Sequence, residues 1–349
     1  MGQVAPVPSS GAGLDETGAG AGGLAVDVSA VLPFADEMST LSATVHVPAP
    51  EHDGPPRAVL VCWPGGSYSR AYWDMHIPGH PGYSFAEHMT DRGFVVIAVD
   101  PLGVGASSRP SDVDAVNLET MAAAAAEFVR QLRALMAVGE LDRRLAPLED
   151  VPLVAVGHSL GGCLAIVEQA LHGSYDAVAN LGFTHGGKEV IERGPNEDAA
   201  TPMQVAVDQA KAFLATGWEA GYGVAPRALH HGWLHAADVP AEVIAADDEK
   251  ASAWPRQSYV GALLAGHSAT YAGRLTCPVL IAFGDRDVPD RPHDDVAFYR
   301  ASQDVTLVVL TGSAHCHNFA ATRTVLWDRL GSWAAAAAGH VSGGAAATA

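Results

Sequence analysis

The sequence predicts an α/β protein with a mostly parallel central sheet, helices on both faces and a mainly helical insertion. Three observations predict it. Short, unbroken apolar runs recur at Arg57–Trp63, Gly93–Val99, Val151–Val156, Asp176–Phe183, Cys277–Phe283 and Val305–Leu310. Continuous rather than alternating apolarity marks strands covered on both faces, as in a parallel sheet. Helical patterns alternate with these runs, above all Leu118–Val138, where alanines are followed by Phe128, Leu132 and Leu135 on one face. From Gly187 to Gly273 the alternation stops, and that segment reads as an inserted cap.

The elements follow in order. Residues 1–24 are rich in Gly, Ala, Ser and Pro without periodicity and read as a flexible arm. Core residues are expected at 25–186 and 274–338, the cap at 187–273, and an Ala/Gly tail at 339–349. Val28–Phe34 and Leu41–Val47 are strand-like, and the second alternates as if one face were wet. The strand Arg57–Trp63 runs into Pro64-Gly65-Gly66-Ser67-Tyr68. Tyr72–Tyr83 reads as a Pro/Gly/His loop and Ser84–Arg92 as a short helix. The strand Gly93–Val99 ends at the turn-rich Asp100–Pro110. Val151–Val156 and the helical Gly162–Leu171 bracket the sequence Gly157-His158-Ser159-Leu160-Gly161. Asp176–Phe183 ends at Thr184-His185-Gly186-Gly187. Within the cap, Pro202–Trp218 reads as a helix and Gly221–Trp254 as irregular. The sheet resumes at Cys277–Phe283. A short helix over Asp294–Gln303, the last strand Val305–Leu310 and a closing helix over Ala320–Ala338 follow.

Composition excludes several function classes. The 39 acidic against 20 basic residues give a net charge of -19, which disfavours nucleic acid and anionic membranes as partners. The four cysteines are scattered with no C-x-x-C spacing, so no disulfide framework is implied and a reducing compartment is expected. The N-terminus lacks a basic start with an apolar run, and no apolar stretch is long enough to span a bilayer. A cytoplasmic protein is the expectation.

The chain is organised around Gly157–Gly161, a G-x-S-x-G pattern between a strand and a helix. In that context the turn strains the serine backbone, and small neighbours let strand and helix approach closely, so that the Ser159 Oγ stands clear of the sheet edge. In an open parallel sheet the carboxyl ends of the strands line one crevice. Four such ends bring a hydroxyl (Ser159), a carboxylate (Asp287), an imidazole (His315 or His317) and the Gly-rich Pro64–Tyr68 backbone. That is a nucleophile, an orienting acid, a base and donors for an oxyanion.

The order Ser, Asp, His resembles that of the α/β-hydrolase fold, and the resemblance covers roughly residues 27 to 338. It rests on Gly157-His-Ser-Leu-Gly161, Asp100-Pro-Leu-Gly-Val-Gly-Ala-Ser107, Gly284-Asp-Arg-Asp287 and Gly312-Ser-Ala-His315. The resemblance implies Ser159 as nucleophile, Asp287 as the last residue of a G-x-x-D turn, and His315 as the last residue of a G-x-x-H turn. The rivals are Ser67 and Ser107 for the serine, Asp285 and Asp100 for the acid, and His317 for the base. Asp285 reads as a turn residue bonding its own backbone, and Asp100 as a loop anchor paired with Arg109. The oxyanion hole would use the amide of Leu160 and that of Gly66 or Ser67. Here the chain departs from the family's frequent His-Gly, carrying Pro64-Gly65-Gly66 instead.

The sixteen histidines include His76 and His80, and His230, His231 and His235, but no H-E-x-x-H pattern. No metal and no cofactor is expected; the cap histidines read as pocket walls. The resulting expectation is a serine esterase acting on a small-molecule ester, with a homodimer compatible. Thioesterase, lactonase, amidase, peptidase and acyltransferase chemistry would use the same groups. A non-catalytic small-molecule binding protein is the alternative of another class.

Overall fold

The computed structural model describes residues 21–34, 37–49, 54–186, 208–209, 221–225, 227–260 and 264–344. Its strands are β1 (Gly22–Asp27), β2 (Thr40–His46), β3 (Val59–Trp63), β4 (Asp74–Ile77), β5 (His80–Ser84) and β6 (Val95–Asp100). They continue with β7 (Leu153–His158), β8 (Ala177–Leu181), β9 (Tyr222–Gly223), β10 (Trp254–Pro255), β11 (Val279–Gly284) and β12 (Val305–Leu310). Eight of them form one sheet in the order β1-β2-β6-β3-β7-β8-β11-β12. β1, β2 and β6 pair antiparallel, and every pairing from β6 to β12 is parallel. The expected mostly parallel sheet is present.

Alternate side chains of each strand serve opposite cores, as the two-residue period demands. Val59, Val61 and Trp63 face one apolar cluster, with Phe128 and Leu132 of α2 (Leu118–Val138) and Leu164 of α3 (Leu160–His172). Leu60 and Cys62 face the other, with Phe85 and Met89 of α1 (Phe85–Thr90) and Leu326 and Leu330 of the closing helix Arg323–Gly344. Each such fully buried large side chain contributes about 1.5–3 kcal/mol relative to exposure. The helix ends are written locally. The Asn117 side chain accepts from the Thr120 amide at the start of α2, and Gly139, at φ 72°, ends it.

Several elements differ from the sequence expectation. The first strand is Gly22–Asp27, and Val28–Phe34 instead contains a 3-10 turn at Ser29–Val31. The Asp27 carboxylate takes the Ser29 amide at 2.9 Å and its hydroxyl at 2.5 Å, a local bond that competes with the ladder. Tyr72–Tyr83 folds as the β4–β5 hairpin, turned at Gly79 with φ 76°. Asp294–Gln303 is only a 3-10 turn, at Pro292–Phe298. Pro202–Trp218 lies outside the described residues except for 208–209. Gly221–Trp254 is more regular than expected: β9 pairs with β10, and helices run over His231–Leu234 and Ala241–Glu249. The closing helix starts at Arg323 and runs on to Gly344, into the expected tail. Among the described residues, no helix is long and apolar enough to cross a membrane.

Strand register is what builds the site. Trp63 pairs with Gly157, His158 with Leu181, and Gly284 with Leu310. The loops after β3, β7, β11 and β12 therefore leave the sheet at one edge.

Candidate active site

Ser159 sits between β7 and α3 with φ 51° and ψ -122°. Among the described residues, the non-glycines with positive φ are Ser67 and Ser159. Such a conformation costs on the order of 1–3 kcal/mol and persists only where surroundings hold it. Here the Ser159 amide donates to the Leu181 carbonyl at 2.7 Å, and the Ser159 carbonyl accepts from the Gly162 amide at 2.8 Å. The flanking glycines are sterically required. A Cβ on Gly157 would strike the Gly161 backbone, and one on Gly161 would strike the carbonyls of Trp63 and Pro64.

The structure brings Ser159, His315 and Asp287 into one hydrogen-bonded chain. The Ser159 hydroxyl donates to His315 Nε2 at 2.8 Å, and His315 Nδ1–H donates to Asp287 Oδ1 at 2.6 Å. Asp287 is completely buried, and Gly284 and Val288 donate their amides to it. Burial pushes the Asp287 carboxyl up, but the adjacent His315 and His317 outweigh it and hold the group well below the usual carboxylate range. It is therefore an anion oriented to fix the His315 tautomer.

His317 shares that carboxylate rather than the serine. Its Nε2–H donates to Asp287 Oδ2 at 2.8 Å. Asp285 bonds the histidine loop and not its own turn: its carboxylate accepts the amides of Gly312 and Ser313. Asp100 is a loop anchor as expected, but its partner is Arg70, whose amide donates to it at 2.7 Å and whose guanidinium is in contact with it. Arg109 lies instead over the Tyr222 ring. Ser67 is 2% exposed and bonded to neighbours, and Ser107 donates to the Asp100 carbonyl, so neither presents a free hydroxyl beside an imidazole.

The Gly-rich loop after β3 lies against the elbow. A Cβ on Gly65 would fall 3.2 Å from the Ser159 Cβ. That places the Gly65 backbone against Ser159, at the N-terminus of α3, where a helix start favours developing negative charge. Tyr72 and Trp73 are core residues, at most 1% exposed.

Three contributors were not legible as site residues in the sequence. His158 stacks on Tyr72 at 4.7 Å and donates from Nε2 to the His315 carbonyl at 2.9 Å. Burial, then repulsion from His315 and His317, lowers its pKa well below the usual histidine value, so it is neutral. Trp233 is 41% exposed, with its ring 4.8 Å from that of His315. Its carbonyl accepts the His315 amide at 3.1 Å. Tyr259 places its hydroxyl 3.2 Å from Ser67 Oγ. For Trp233 and Tyr259 the aromatic and histidine content of 221–260 was the available signal, but nothing in it indicated which residues turn inward. Among the described residues, no group of three or more His, Cys, Asp or Glu side chains is placed to hold a metal ion.

Comparison with known proteins bears on this geometry. A family model described as the alpha/beta hydrolase family matches residues 60–326. No curated protein matches the chain in sequence. Among solved structures, the chain is similar to a soluble variant of monoglyceride lipase from Saccharomyces cerevisiae in complex with a substrate analog. The TM-score is 0.58 at 14% identity, covering 85% of this chain and 91% of that one. A thermophilic esterase from Thermogutta terrifontis gives 0.55 at 15%, covering 90% and 98%. E-2-(acetamidomethylene)succinate hydrolase gives 0.52 at 20%, covering 88% and 97%. At these identities the likeness is one of fold.

Proposed function

The chain belongs to the alpha/beta hydrolase family, and from that premise we propose that it is a serine hydrolase cleaving a carboxylic ester of a small molecule through an acyl-enzyme. The observation that carries the reading is the continuous chain from Ser159 Oγ through His315 to the buried Asp287. His315 Nε2 takes the serine proton as Oγ attacks the ester carbonyl. Asp287 keeps the second nitrogen protonated and stabilises the imidazolium. The amides of Leu160 and Gly66 receive the tetrahedral oxyanion, each such donor typically contributing about 3 kcal/mol in the transition state. His315 returns the proton to the leaving alcohol, and water repeats the sequence on the acyl-enzyme.

Trp233 supports an ester with an apolar or aryl part. An exposed indole beside the base offers a flat apolar wall. The test is a panel of chromogenic acyl esters of graded chain length, with fluorophosphonate labelling, on wild type and Ser159→Ala. Wild type should label and turn over, and Ser159→Ala should lose both, with kcat lowered about 10⁴-fold or more. A wild type that neither labels nor hydrolyses any ester overturns the reading.

A further inference from the structure

The Gly65–Tyr68 loop, with its candidate oxyanion amide, is held largely by residues of the 221–260 segment. Ser67 Oγ accepts the Ala225 amide at 2.7 Å and faces the Tyr259 hydroxyl at 3.2 Å. The Ser67 carbonyl accepts the Ser252 amide at 3.0 Å. Tyr68 bridges to Ala251, and its carbonyl accepts the Trp254 indole N–H at 2.6 Å. The Tyr68 hydroxyl donates to Asp247 at 3.0 Å and accepts from Arg227 at 2.7 Å.

Two features point to Ser67 and Tyr259 as the control points. Ser67 has φ 64°, a left-handed backbone that an L side chain keeps only when its surroundings impose it. The Tyr259 hydroxyl lies where Gly66 has no side chain: a Cβ there would sit 2.9 Å from it. The hydroxyl thus abuts both Gly66 and Ser67.

We propose that Ser67 and Tyr259 are positioning residues through which the inserted segment sets the oxyanion loop. The inference rests on the serine-hydrolase reading and deepens it: the insertion completes the transition-state site as well as covering the substrate. Burial raises the Tyr259 pKa to about 12, so the hydroxyl stays protonated and hydrogen-bonding across the working pH range. No substrate contact is assigned to either side chain; each acts through the Gly66 amide.

The test compares wild type with Tyr259→Phe, which removes only the hydroxyl, and Ser67→Ala, with folding checked by thermal melting. The readouts are kcat and KM for the best ester of the panel, and Ki for a trifluoromethyl ketone of the same acyl group. That ketone forms a tetrahedral adduct on serine and reports the oxyanion site directly. The expected result for Tyr259→Phe is a loss of about tenfold in kcat, matched by a similar loss in ketone affinity, with KM little changed. Ser67→Ala should follow the same pattern. An active wild type beside a Tyr259→Phe variant with unaltered kcat and Ki overturns the inference alone. A change confined to KM also overturns it, since it would make Tyr259 a pocket wall. A wild type that neither labels with fluorophosphonate nor hydrolyses overturns both proposals.

Discussion

Asp287 uses its two oxygens differently. Oδ1 takes His315 Nδ1–H and the Val288 amide, while Oδ2 takes His317 Nε2–H and the Gly284 amide. An amide at this position cannot accept from both imidazoles. Asp287→Asn should therefore lower kcat on the order of 10⁴-fold, measured on the best chromogenic ester, by forcing the wrong His315 tautomer. His317 is hydrogen-bonded to the same carboxylate. His317→Leu should lower kcat about tenfold at nearly constant KM, and His317→Gln, which keeps a donor, should restore most of it. Equal losses in the two variants would mean that ring packing matters and the hydrogen bond does not. In the sequence only the resemblance, through its G-x-x-H turn, favoured His315 over His317. Two residues apart, both would point to the same side if the segment were extended, but a tight turn intervenes, with the His317 amide donating to the His315 carbonyl at 3.1 Å. In the fold both reach Asp287, but only His315 is bonded to Ser159.

At the scale of the element, the β7–α3 turn was the most legible part of the chain. Its requirements are steric and local, so they are written in consecutive residues. Gly161→Ala drives a methyl into the carbonyls of Trp63, at the end of β3, and of Pro64 just after it. It should destabilise the fold by about 1–3 kcal/mol or more, read as a lower denaturation midpoint in urea at unchanged slope. Ser159 makes the strain itself measurable. Ser159→Gly and Ser159→Ala are both expected to be inactive, but at φ 51° glycine relieves a conformation that alanine keeps. The glycine variant should be the more stable by roughly 1 kcal/mol. Equal melting of the two would show that the turn is not strained. Elements without such local signatures were misread. The β4–β5 hairpin is short, and its apolar residues pack against a core assembled from distant segments.

At the scale of the whole molecule, one buried acid ties stability to pH. Glu168 lies on α3 and is completely buried. Burial pushes its carboxyl from its ordinary 4.5 up to about 8, with Ser174 and Tyr175 opposing the shift only in part. The folded state thus holds a proton that the unfolded chain releases near its ordinary value. Stability from this group is fully present below about pH 4.5 and is lost as pH rises toward 8. Glu168→Gln should remove that slope, so the variant gains on wild type by an amount on the order of a few kcal/mol between the two limits. Thermal melts of both proteins from pH 5 to 8.5 check it: parallel curves would show that Glu168 is solvated or paired. The same helix begins at Leu160, whose amide is the one proposed to receive the oxyanion.

By itself the sequence determined the alternation of covered strands and helices, the glycine turn around Ser159, and the order in which hydroxyl, carboxylate and imidazole reach strand ends. These follow from short-range rules: apolar periodicity, steric room at a turn, and residue types next to a strand terminus. Tertiary structure decided what depends on distance in space. It paired Asp100 with Arg70 and turned His315 toward Ser159. It also brought Tyr259 and Ala225 onto Ser67, across 192 and 158 residues of chain. Nothing local in Ser67 or Tyr259 marks them for each other, because a hydrogen bond between distant segments leaves no pattern in either one alone.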